Sequence, residues 1–204
     1  MKRWVWLTIE YELFTNPLTT FHSAIEQASP WVRRYAALIP KEGRVLDLAC
    51  GSGRHSKFLT ESSYSVVGVD KDVRALESLA IPGLIAQQAD LELVDWPLVG
   101  ELFAGIVVTN YLFRPHLDQL PKMLIDGGVL IYETFAKGNA QFGKPSNPNF
   151  LLKPGELLDL AGQNGLKVIG YEDIYVDLPK PAMIQRLCAV KGDLNGLIPL
   201  QFQG

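Results

Sequence analysis

From Arg44 onward the chain alternates apolar runs with amphipathic stretches. Runs at 44–49, 65–70, 84–88, 104–109, 128–134, 166–173 and 183–190 read as strands. Some, such as Ile106-Val107-Val108 and Val129-Leu130-Ile131, are apolar at consecutive positions, as expected of central strands buried on both faces. Helical spacing fills 53–62, 72–80, 115–125 and 153–164. Strands alternating with helices predict an α/β fold: a Rossmann-like, doubly wound, seven-stranded and mostly parallel sheet. Only Tyr175 to Ala182, with Pro179 and Pro181, links the last two strands. A parallel crossover needs about a dozen residues or more, so the last strand is expected to run antiparallel.

Ahead of this alternation, Phe21, Ile25, Ala28, Val32, Tyr35 and Ala36 fall at helical spacing broken by Pro30, which predicts two short helices. Residues 1–20 follow no single pattern. The whole chain, 1–204, reads as one domain, with a helical cap over 1–40 and the core over 41–192. Residues 136–150 are polar and rich in Gly, Asn and Pro, with neither period. A loop of that length in a compact domain predicts a lid, and it leaves from the carboxyl end of a strand.

The chemistry concentrates at Asp47-Leu48-Ala49-Cys50-Gly51-Ser52-Gly53, where a strand turns into a helix. Glycines there bring bare backbone N–H groups to a ligand, and the helix N-terminus adds a positive field, as in nucleotide sites. A dinucleotide fingerprint would place a third glycine where Ser56 stands. The second strand ends in Asp70, suited to ribose hydroxyls, with Lys71 next to it. The third leads to Asp90-Leu91, suited to an adenine edge and face, and the fourth to Asn110. Asp70 could instead be a helix N-cap, and Asp90 could cap a turn. Cys50 reads as small filler, His55 as a solvent-facing or packing residue, and Trp96 as a core or rim residue.

In this order (Asp47, Gly51, Gly53, Asp70, Asp90, Asn110, then Gly127-Gly128) the chain resembles the class I S-adenosylmethionine-dependent methyltransferases, over about residues 30–190. Within them it is most similar to small bacterial enzymes of the tellurite-resistance type. Ala49 stands where many members have glycine, and Ala104 where many have an acid, read as the loss of a surface acid. The resemblance implies S-adenosylmethionine as cofactor, held by Asp47, Ala49, Gly51, Gly53, Asp70, Lys71, Asp90, Leu91 and Asn110. Asp47 would order the turn and approach the methionine amino group, and both glycines would lie against the cofactor. The implied reaction is methyl transfer to a small-molecule acceptor. The alternatives are a nicotinamide-dependent oxidoreductase and a non-catalytic cofactor-binding module.

Composition narrows the partners. Net charge is −3 over 204 residues, which disfavours a nucleic-acid substrate. The two cysteines fit a cytoplasmic protein without a disulfide scaffold. The apolar start at Trp4-Val5-Trp6-Leu7 stops at Glu10, too soon for a signal peptide, and no run is long enough to span a membrane. With Tyr11 and Phe14 it could pack on the domain or on a partner, so a homodimer is one option. At the acceptor, Tyr111, Arg114 and His116 follow the fourth strand and are the catalytic candidates. Glu133 and Phe135 end the fifth, and Trp31, Arg33, Arg34 and Tyr35 precede the first. Arg114 or Arg34 would favour an anionic acceptor. No metal site is expected.

Overall fold

The computed structural model describes residues 27–192. The strands are β1 (Arg44–Leu48), β2 (Ser65–Asp70), β3 (Leu84–Gln88), β4 (Phe103–Thr109), β5 (Leu124–Phe135), β6 (Leu166–Val176) and β7 (Ala182–Lys191). They form one seven-stranded sheet in the order β3-β2-β1-β4-β5-β7-β6. β1 to β5 pair in parallel, whereas β7 runs antiparallel to both β5 and β6. The chain leaves β1 toward β2 and β3 on one side, then returns to start β4 on the other. A crevice therefore opens beyond the carboxyl ends of β1 and β4, where ligands of such sheets sit.

The α-helices are α1 (Pro30–Tyr35), α2 (Arg54–Glu61), α3 (Arg74–Ser78), α4 (Gln119–Lys122) and α5 (Glu156–Gln163). Successive side chains of a strand point to opposite faces, and in β1 both faces are covered. Leu46 and Leu48 join the cluster containing Leu157 and Leu160 of α5, and Val45 joins the one containing Trp31, Tyr35 and Leu59. That two-sided burial is why the central strands read as unbroken apolar runs.

The expected helix over 115–125 is replaced by a 3-10 turn at Arg114–His116 and the single-turn α4. Pro115 and Pro121 cannot donate into a continuous helical ladder, and β5 already begins at Leu124. Ala104 is fully buried in β4, so no surface acid is missing there; its Cβ lies 3.2 Å from where a Cβ on Gly43 would be. Of the two short helices expected over 21–38, the second is α1; the first falls largely outside the described residues. Ser29 caps α1 by accepting from the Trp31 N–H at 3.1 Å. Tyr35 of α1 reaches Gly170, where an added Cβ would meet its hydroxyl at 2.2 Å, beside a register shift in β6.

Candidate cofactor site

The turn between β1 and α2 is left-handed at three positions: Ala49 (φ +55°), Gly51 (φ +55°) and Gly53 (φ +83°). It is tied to β2, since the Cys50 N–H donates to the Val69 carbonyl at 3.1 Å. The two glycines do different work. A Cβ on Gly53 would lie 2.3 Å from Leu76, so this glycine lets α3 pack against the turn. A Cβ on Gly51 would meet nothing within 4 Å among the described residues, so this backbone faces space they leave open. Gly51 is placed as expected of a residue lying against a ligand.

Asp47 sits under the turn and is 1 % exposed. Its Oδ2 accepts from the Ser56 hydroxyl at 2.6 Å, and its Oδ1 is buried with no hydrogen-bond partner among the described residues. Burial pushes its carboxyl up to about 6, against the pull of the Ser56 bonds. Ser56, read in the sequence only as a missing glycine, thus satisfies one oxygen of this carboxylate from the first turn of α2. A hydroxyl one helical turn after such a glycine turn is the signal that could have found it.

Asp70 ends β2 beside the turn. Its Oδ2 accepts from the Gly51 N–H at 2.8 Å and its Oδ1 from the Asp72 N–H at 3.2 Å. It caps no helix; α3 has no side-chain cap. Lys71 pairs with Asp90 at 2.9 Å, and the other Asp90 oxygen accepts from the Glu92 N–H at 3.0 Å. Leu91 is buried in the core, and Asn110 holds φ +54° at the exposed end of β4. The acids of β1, β2 and the β3 exit, with Asn110, therefore surround the mouth of the crevice.

The three acceptor candidates separate. The Tyr111 hydroxyl lies 3.4 Å from the Leu91 carbonyl, and burial followed by the charges of Glu92, Asp90 and Asp70 raises its pKa, so it remains protonated. His116 is buried between Trp96 and Phe113, with Nε2 2.7 Å from the Leu93 carbonyl. Arg114 forms a fork on Glu156 at 2.6 and 2.8 Å and donates to the Asn149 and Leu151 carbonyls at 2.7 Å each. It clasps the 136–150 loop and offers little of its fork to an anionic acceptor. That loop is anchored rather than loose. The Lys137 N–H donates to the Leu152 carbonyl at 2.8 Å, and Asn139 accepts from the Met183 N–H at 3.1 Å.

Two further groups lie close by. His55 is 1 % exposed; its Nε2 accepts from the Ser29 N–H at 3.1 Å, which leaves the proton on Nδ1, 3.3 Å from the Thr109 hydroxyl. Burial, then the Arg54 charge, lowers its pKa to about 3. Arg186, which the sequence did not single out, faces Glu133 and Glu172 across the strands. It bonds Glu172 at 2.7 Å, reaches Glu133 at 3.3 Å and lies 4.8 Å over Trp31. Its signal was the charge triplet that the β5-β7-β6 register aligns. Trp31 itself is packed on the sheet, donating to the Leu187 carbonyl at 3.2 Å. The Cys50 thiol is pushed up by burial and by the charges of Asp47 and Asp70, which suits filler and not a nucleophile.

Residues 13–95 match the family model of tellurite resistance protein TehB. Bacillus subtilis (strain 168) YqeM, described as a methyltransferase, is 41 % identical over 49 residues, which are 24 % of this chain and 19 % of YqeM. TehB from Haemophilus influenzae superposes with a TM-score of 0.64 at 18 % identity, covering 79 % of this chain and 61 % of that one. This chain thus spans under a fifth of YqeM and under two thirds of that TehB. An S-adenosylmethionine-dependent methyltransferase from Methanosarcina mazei gives 0.61 at 14 % identity, covering 81 % and 99 %. A TehB-like one from Corynebacterium glutamicum gives 0.60 at 19 %, covering 85 % and 94 %. The chain therefore has the Rossmann-like fold of the S-adenosylmethionine-dependent methyltransferases, and over residues 13–95 it resembles the TehB family.

Proposed function

We propose that this protein is an enzyme that transfers a methyl group from S-adenosylmethionine to a small-molecule acceptor. The observation that carries the reading is the buried Asp47 Oδ1, without a partner among the described residues and beneath a turn whose Gly51 opens on space they leave free. A buried carboxylate oxygen left bare is costly, and an ammonium group is the partner it lacks. The methionine part of the cofactor carries one. The residues fit the rest as well: Asp70 for the ribose hydroxyls, Asp90 for the adenine amino group with Leu91 against the ring, and Lys71, Ala49, Gly53 and Asn110 shaping the walls.

Bound there, the cofactor supplies an activated methyl on a sulfonium leaving group, so the protein's work is to position the acceptor and exclude water. The Tyr111 hydroxyl, whose proton is directed to the Leu91 carbonyl, is suited to orient an acceptor by accepting from it. Arg114 acts on the acceptor only through the loop it clasps, and His116 through the Leu93 carbonyl. The 136–150 loop supplies the water-excluding wall.

Calorimetry with S-adenosylmethionine and with NAD tests the cofactor: micromolar binding of the first alone supports the reading, and binding of NAD alone overturns it. Release of S-adenosylhomocysteine with a panel of thiols, amines and chalcogen oxyanions tests the enzyme. A protein that binds the cofactor but turns over no acceptor would instead be a binding module.

A further inference from the structure

We propose, on the strength of the cofactor reading above, that the Thr109 hydroxyl binds the carboxylate of the methionine part of S-adenosylmethionine. Asp47, Asp70 and Asp90 leave that carboxylate unheld. Thr109 ends β4 and is 8 % exposed. Its hydroxyl has one hydrogen-bond partner among the described residues, His55 Nδ1 at 3.3 Å. The Ser29 N–H decides which of the two donates. It points at His55 Nε2, so that nitrogen is the acceptor and the neutral imidazole carries its proton on Nδ1. Thr109 Oγ1 therefore accepts, and its own proton must go elsewhere. No acceptor for it stands among the described residues. Glu133, paired with Thr109 across β4 and β5, turns to Arg186 instead. A buried hydroxyl proton without an acceptor is costly, as is a bare carboxylate oxygen.

Thr109 and Asp47 serve one ligand group because they share a face. Asp47 pairs with Val107 across β1 and β4, and Thr109 lies two positions further along β4. Both side chains therefore leave the sheet toward α2, where they meet His55 and Ser56. A strand spacing of about 4.8 Å and a rise of about 3.3 Å per residue put their Cα atoms about 8 Å apart. An α-amino acid group fits that gap, since its ammonium and its carboxylate hang on one carbon: the first goes to Asp47 Oδ1, the second to Thr109. The local field suits an anion beside Thr109. No side chain caps the N-terminus of α2, and Arg54, its first residue, brings a positive charge near Asp47 and His55. The sulfonium, where a methyl acceptor must sit, is three bonds farther along the ligand. His55 is a positioning residue here, acting through the hydroxyl whose direction it fixes.

The test is calorimetry on the full chain with S-adenosylmethionine and with decarboxylated S-adenosylmethionine, which keeps the ammonium and the sulfonium and lacks the carboxylate. The wild type should bind the decarboxylated ligand at least about tenfold more weakly. Thr109→Val, close in shape and without the hydroxyl, should weaken S-adenosylmethionine about tenfold and leave the decarboxylated ligand within about twofold, so the gap narrows by as much. Thr109→Ser keeps the hydroxyl and should discriminate as the wild type does. If Thr109→Val does not fold, Thr109→Ala carries the same comparison. Long-range nitrogen–proton spectra of the histidine-labelled chain should place the His55 proton on Nδ1. A proton on Nε2 instead overturns the assignment. So does equal affinity of the wild type for both ligands, or a Thr109→Val variant that discriminates as the wild type does; either result leaves the cofactor reading standing. Failure of the wild type to bind either ligand overturns that reading, and the role of Thr109 with it.

Discussion

Asp47 is buried with one oxygen bare among the described residues, and the proposed cofactor would supply its partner. Asp47→Asn keeps the shape and removes the buried charge. It should stabilise the free protein by about 1–2 kcal/mol in urea denaturation at pH 7, yet weaken S-adenosylmethionine binding at least about tenfold by calorimetry. In the wild type the bound ammonium needs the carboxylate, so affinity should be full above pH 6 and fall as pH drops through about 6. Stability and affinity moving together in the variant would refute the role. Ala49, where relatives of the implied family often have glycine, is held at φ +55°. Left-handed backbone strains a residue with a Cβ, so Ala49→Gly should raise stability by about 1 kcal/mol, and a loss would show the turn is held otherwise.

Among the elements, the loop over 136–150 and the stretch at 115–125 show what pattern reading misses. The loop was legible as a long irregular segment, because its composition excludes both periods. Its fastening was not, because Arg114 and Met183 meet it from distant parts of the chain. Replacing Arg114 with alanine leaves Glu156 with the Lys153 N–H alone and takes a donor from the Asn149 and Leu151 carbonyls, at a cost of about 2–4 kcal/mol. Exchange at 147–152 should quicken before the rest of the domain unfolds, and Arg114→Lys, lacking the fork, should restore only part of the protection. Uniform quickening across the sheet would show no local clasp. At 115–125 the spacing of Leu117, Leu120 and Leu124 imitates a helix, but two prolines and the early start of β5 divide it. The strands fared better, since two-sided burial writes itself into consecutive apolar positions.

Across the whole molecule, two buried groups oppose each other in acid. Folded Asp47 keeps its proton up to about pH 6, whereas the unfolded carboxyl loses it near 3.8, so its effect lowers stability as pH rises through that window. Unfolded His55 takes a proton below about 6.5, whereas the folded imidazole resists until about 3, so its effect lowers stability as pH falls. The slopes, each up to about 1.4 kcal/mol per pH unit, nearly cancel between pH 4 and 6. Relative to wild type, Asp47→Asn should lose stability on acidification from pH 6 to 4.5, and His55→Gln should gain it. Denaturant titrations across that range read both slopes, and parallel slopes in the three proteins would dismiss the compensation.

By itself the sequence determined the strand order of events: seven apolar runs, the antiparallel return forced by a short link, and a glycine turn followed by acids at successive strand ends. These follow from local periodicity, chain reach and backbone sterics, which need no distant partner. Only the tertiary structure decided which groups are satisfied. It joined Ser56 to Asp47, committed Arg114 to a loop and put Arg186 between two glutamates, while leaving Asp47 Oδ1 and the Thr109 proton without partners among the described residues. Satisfaction depends on which atoms meet in space, and residues far apart in the chain meet only once the sheet is built.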